Sequence, residues 1–141
     1  MLLLFVILFF ILFILVAGRE SPNIVEVRRR YHILCETCEK WPKKFHCLKK
    51  RIVIAFFKKG ILSSNIGYNI NKGEEIGICL DGTPNDMFHV LLHELAHSTV
   101  TVYSHSKEFW ENFKELCGYC KDIGIYEKTE YKKFCGKVIK D

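Results

Sequence analysis

Residues 83–100 constrain the fold of this chain more than any other stretch. Thr83 can cap a helix, Pro84 suits its first turn, and Asp86 occupies the acidic position of a capping box. Phe88, Leu91, Leu92, Leu95, Ala96 and Val100 then make the segment apolar nearly all round. A helix of that kind has no solvent face and must lie at the centre of the core. Yet it carries His93, Glu94 and His97, which would be costly to bury without partners.

The spacing suggests what the partner is. His93 and His97 project from one helical face about one turn apart, and two such imidazoles can share a Zn²⁺ at about 2.0–2.1 Å. Glu94 points partly aside, where a carboxylate can serve a metal-bound water as general base. A catalytic zinc wants a third protein ligand and an open position. His105 follows His97 by eight residues, near the start of the next helix, and is the leading candidate. His89, Glu108 and Glu111 are the alternatives, but His89 would line three ligands along one helix, which suits a tetrahedral ion poorly. Metzincin spacing is excluded, because Val100 and Tyr103 hold the required glycine and histidine positions. Tyr103, Tyr119, Tyr126 and Tyr131 are candidate oxyanion donors among which the sequence does not choose. The strand containing Ile76, Ile78 and Leu80 is expected to pair with an extended substrate.

Around this helix the patterns suggest an α+β domain. Ser21-Pro22 opens a helix along Ile24, Val27, Tyr31, Leu34 and Cys38, which Trp41-Pro42 ends. Residues 52–57 read equally as buried helix or strand. Ile66, Tyr68 and Ile70 alternate, as do Ile76, Ile78 and Leu80, and Asn71-Lys72-Gly73 between them signals a hairpin. A further helix starts near Ser106, buries Phe109, Phe113 and Leu116, and stops at Gly124. Residues 132–140 add a strand.

Residues 1–17 contain no polar or charged side chain. At 1.5 Å per residue they reach about 26 Å, the short end of a membrane span. They are read as a transmembrane or signal-anchor segment, with one folded domain over residues 19–141. Arg19 and Arg28 to Arg30 on the C-terminal flank place that domain on the cytosolic side. The alternative is secretion after cleavage near Gly18, following Val16-Ala17. Seven cysteines, an odd number, need no pairing in a reducing compartment. Cys35 with Cys38 and Cys117 with Cys120 offer a weaker reading as a second zinc site, while Cys47, Cys79 and Cys135 read as small apolar residues. The net charge of +5 comes from interleaved lysines and acids, a solvated surface rather than a polyanion-binding face. No nucleic-acid-binding motif is present.

The stretch from Val90 to His97, followed by Ser104-His105-Ser106-Lys107-Glu108-Phe109-Trp110, resembles the WLM metallopeptidase family, a relative of SprT-like proteases. The family pattern is HELxH, a short segment, then His-Gly-x-x-Phe-Trp or Phe-Tyr; Ser106 stands at the glycine position. The likeness extends back through Tyr68 to Leu80 and forward through Gly124-Ile125-Tyr126 to Phe134-Cys135-Gly136, roughly the last half of the chain. It is similar to short members from large DNA viruses, for which the cytosolic side would be the virion interior. The resemblance implies a small zincin-like domain, with a short antiparallel sheet on the active-site helix. It implies zinc ligands His93, His97 and His105, base Glu94, and a protein or peptide substrate. With the apolar start, this gives a membrane-anchored zinc metalloendopeptidase. The alternatives are a protease of nucleic-acid-bound proteins, with nucleic acid as a further partner, and a non-catalytic membrane-tethered metal-binding module.

Overall fold

A computed structural model describes residues 1–60 and 65–140. Four α-helices are described in chain order: α1 Leu2–Ala17, α2 Pro22–Thr37, α3 Pro84–His97 and α4 Lys107–Asp122. The strands are β1 Val53–Phe57, β2 Gly67–Ile70, β3 Glu75–Cys79, β4 Lys132–Phe134 and β5 Lys137–Ile139. Two short 3₁₀ segments, Cys38–Lys40 and Lys43–Lys49, follow α2.

The helix signals act as read. Ser21 caps α2 by accepting from the Ile24 amide, and Val27, Tyr31 and Leu34 line its buried face. Thr83 and Asp86 form a reciprocal capping box at α3, with Asp86 accepting from the Thr83 amide at 2.8 Å. Lys132 reaches Asp86 at 2.7 Å, tying the C-terminal hairpin to the same helix start. The α3 helix stops at His97, so Val100 packs from the loop beyond it. Ser106 caps α4, and Gly124 leaves it with φ +76.

The sheet differs from the antiparallel one expected. Residues 53–57 form a strand, and β1 lies parallel to β3, giving a mixed sheet of order β1-β3-β2. The hairpin of β2 and β3 is antiparallel, with Asn71, Lys72 and Gly73 all at positive φ in its turn. Burial explains the order: Ile76, Gly77, Ile78 and Cys79 are buried, so β3 takes the centre. Central placement overturns the expectation that β3 receives substrate, because both its edges are occupied. The sheet edge beside the His-bearing helix belongs to β2. Helix α3 packs on β2 and β3, with α2 and α4 against its other sides. Residues 132–140 form a two-stranded hairpin rather than one strand.

Cys79 and Cys135 are disulfide-bonded, with Cα atoms 6.5 Å apart. This corrects their reading as small apolar residues: the end of β3 and the β4–β5 turn meet in the fold, 56 residues apart in sequence. Cys35, Cys38, Cys117 and Cys120 are buried cysteines outside any disulfide, and Cys47 is an exposed one. Among the described residues the two Cys pairs do not gather into a metal-binding group.

Helix α1 has no buried residue. Sixteen residues reach about 24 Å, short of the roughly 30 Å hydrocarbon core. Among the described residues no single helix is long and apolar enough to cross a membrane. The pair of α1 and the stretch Pro22–Lys40, bent by 50°, meets the length and composition together.

Candidate metal centre

Helix α3 delivers three side chains to one end of the domain. His93 is half-buried, whereas Glu94 and His97 are buried. The loop after α3 turns back so that exposed His105, just before the α4 cap, faces the two helix histidines. One nitrogen from each of His93, His97 and His105 lies within 4.8 Å of the others. The Nε2 atoms of His93 and His105 are 2.9 Å apart. Phe109, the third residue of α4, packs against all three rings, with centroids 4.9, 4.4 and 4.8 Å away. Tyr103 stacks on His97 and Trp110 on His105, so both outer faces of the cluster are covered by aromatic rings.

Burial, then the neighbouring His97, His105 and His89, push His93 down to about 3. Burial and then His105 push His97 down to about 4. At neutral pH both rings are therefore neutral, the protonation state that a metal ligand needs. Burial alone raises Glu94 to about 7.

The donor set fits a zinc ion. Tetrahedral coordination at about 2.0–2.1 Å puts ligand nitrogens roughly 3.3 Å apart, a separation that falls inside the 4.8 Å within which the three histidine nitrogens lie. Among the described residues, two buried side-chain polar atoms lack a hydrogen-bond partner, Asn69 Oδ1 and His97 Nδ1, and both residues border this site.

The other candidates separate cleanly. Buried His89 sits 2.8 Å from the Tyr126 hydroxyl through Nδ1, and Tyr126 donates onward to Thr129. That network holds His89 in the core, outside the ligand group. Glu108 and Glu111 are exposed and outside the group as well; Glu111 pairs with Lys107 at 3.7 Å. Of the four tyrosines, Tyr103 lines the cleft over the histidines, and its hydroxyl donates to the Asn69 carbonyl. Tyr119 stacks on Trp41, Tyr126 belongs to the His89 network, and Tyr131 is exposed to solvent outside the cleft.

The cleft has a volume of about 770 Å³. Its walls are β2, α3, Tyr103, Trp110 and the end of the β4–β5 hairpin. Asn69 on β2 donates to the Glu94 carbonyl at 2.9 Å and to Ser98 Oγ at 3.3 Å, clamping the strand to the helix. Sequence reasoning missed Gly67. A Cβ there would lie 2.8 Å from Val90 Cγ1 and 2.9 Å from Glu94 Oε1, so the strand admits the Glu94 carboxyl only where it has no side chain. The available signal was a glycine inside a strand pattern, which marks close approach by another group.

The family model described as WLM domain matches residues 56–140, more than half of the chain and all of the cleft's elements. The chain belongs to the WLM domain family. A curated protein of Invertebrate iridescent virus 6, described as uncharacterized protein 136R, is 34% identical over 136 residues, covering 83% of this chain and 75% of that one. This WLM member is thus similar to a viral protein. No solved structure gives a significant match. The WLM assignment places the chain in a metalloprotease-type family related to SprT-like proteins, and the histidine cluster supplies a group able to bind a metal ion.

Proposed function

We propose that this WLM domain is a zinc-dependent metalloendopeptidase, with His93, His97 and His105 as ligands and Glu94 as general base. The observation carrying this reading is the convergence of three imidazole nitrogens within 4.8 Å beside a buried carboxyl from the same helix. When bound, zinc supplies Lewis acidity toward a water and a scissile carbonyl. Glu94, adjacent to the first ligand, takes the proton from the attacking water and passes it to the leaving amine. Gly67 leaves room for that carboxyl, and Phe109 fixes the ring planes of the ligands. The outer edge of β2 supplies backbone groups to an extended polypeptide lying across the cleft. Tyr103, over His97, is the candidate oxyanion donor; in that role its hydroxyl leaves the Asn69 carbonyl for the substrate.

Residues 1–17 are proposed as a tether to a membrane. Their helix is apolar on every side and exposed throughout, so lipid is the medium that suits it. The topology has two readings, each resting on its own observation. Arg19 and Arg28 to Arg30 favour a cytosolic or virion-interior domain, whereas the Cys79–Cys135 pair favours an oxidising side or secretion.

The test measures bound zinc and cleavage of an unfolded protein for wild type and Glu94→Gln. One zinc in each, with cleavage by wild type alone, is the expected result. A folded wild-type protein that binds no zinc would refute the reading. Zinc binding without cleavage would leave the metal-binding module in its place.

A further inference from the structure

A second groove, of about 500 Å³, runs along the exposed side of α4. It shares Trp110 and Phe113 with the cleft over the histidines, so the two cavities adjoin at these two side chains. Its floor includes Phe113 and the ring of Tyr126. Its rim carries Lys114, Lys121 and Lys128. All three lysines are exposed, and no carboxylate lines the groove. On α4, Glu111 pairs with Lys107 and Glu115 pairs with Lys44. Among the described residues the three rim lysines make no ion pair, whereas Lys44, Lys49 and Lys132 each have a carboxylate partner. Trp110 is itself half exposed although it stacks on His105, leaving a large aromatic face at the junction of the two cavities.

We infer that this groove is a substrate subsite that takes an acidic, apolar-anchored stretch of the polypeptide being cut. The inference rests on the proposed peptidase. Adjacency to the cleft selects the occupant: a chain crossing the histidines and passing over the half-exposed Trp110 reaches the groove. The apolar floor takes one large side chain, as binding grooves commonly do, and the unpaired lysines attract carboxylates on either side of it. Nucleic acid would also meet cations and rings here. Lys137 and Lys140 also line the cleft beyond Trp110, but a nucleic-acid backbone crossing it would meet the Glu94 carboxyl and the edge of β2, which offer a polypeptide its partners and a phosphate chain none.

The experiment uses two labelled peptides with the same apolar core, one with Asp/Glu flanks and one with Ser/Gln flanks. The full chain is held in detergent and loaded with zinc. Binding is read with the Glu94→Gln variant, so turnover does not interfere, and again after adding Lys114→Ser, Lys121→Ser and Lys128→Ser. Exposed lysine changes of this kind leave folding intact, which circular dichroism verifies. The acidic peptide should bind on the order of tenfold more tightly than the neutral one. The advantage should shrink with added salt and vanish in the triple variant. Equal binding of the two peptides, or an acidic preference that survives the triple change, overturns the inference. Displacement of the acidic peptide from these lysines by a single-stranded oligonucleotide at lower concentration overturns it in favour of nucleic acid. Cleavage of both peptides by wild type is followed in parallel. Acidic preference in binding with no cleavage would defeat the peptidase reading while leaving the groove as a peptide-binding site.

Discussion

Glu94→Gln should make the metal-free protein more stable while abolishing hydrolysis. The Glu94 carboxyl is buried, and burial raises it from 4.5 to about 7. A rise of that size corresponds to roughly 3 kcal/mol of unfavourable ionisation in the folded state at high pH. The sign follows from proton binding. Between pH 4.5 and about 7 the folded state holds a proton that the unfolded state has released. The Glu94 contribution to wild-type stability therefore falls across this window as pH rises, and stays low above it. Glutamine cannot ionise and is nearly isosteric, so the variant escapes this penalty. The assay is urea unfolding of chelator-treated wild type and variant, from pH 4 to pH 8. The stability difference should be near zero at pH 4 and grow to at most about 3 kcal/mol at pH 8. Zinc should then shrink the difference, because a nearby dication favours the carboxylate. A pH-independent difference, or a variant less stable than wild type at pH 8, would refute the assignment of Glu94 as a desolvated carboxyl.

Gly67→Ala pushes a methyl into Val90 and the Glu94 carboxyl; it should cost about 1–3 kcal/mol and lower cleavage activity more than zinc binding, read by metal analysis beside peptide hydrolysis. Zinc removal should lower the melting temperature, by an amount equivalent to about 4 kcal/mol when free zinc had been held at 1,000 times its Kd, as a thermal scan with and without chelator would show. In the metal-free protein His93 and His97 are held below 6.5, so the stability tied to their neutral rings is complete above pH 6.5 and lost as pH falls toward 3; a fluorescence-monitored acid titration tests this. Cys79→Ser together with Cys135→Ser opens a 56-residue linkage and should cost about 4 kcal/mol, measured by urea unfolding under non-reducing conditions.

Much of this molecule was legible because its signals are local. The Thr83–Asp86 capping box, the apolar circumference of α3 and the four-residue spacing of His93 and His97 all act within one helix, where periodicity maps directly onto geometry. The same held for the Ser21 cap, for the helix start near Ser106 and for the Asn71-Lys72-Gly73 turn. The features that sequence left open depend on partners distant in the chain. Residues 53–57 are apolar enough for helix or strand, and pairing with β3 made them a strand. That pairing also moved β3 to the centre of the sheet and transferred the free edge to β2. Cys79 and Cys135 carry no mark of pairing until the β4–β5 turn meets the end of β3. His105 was a loop histidine until the chain turned back over α3, and Gly67 an ordinary strand glycine until Glu94 came to lie against it. Sequence thus determined which residue types were available and how each helix presents them. Tertiary packing alone decided which of them meet, because contact between distant segments depends on the burial of whole faces rather than on neighbours along the chain.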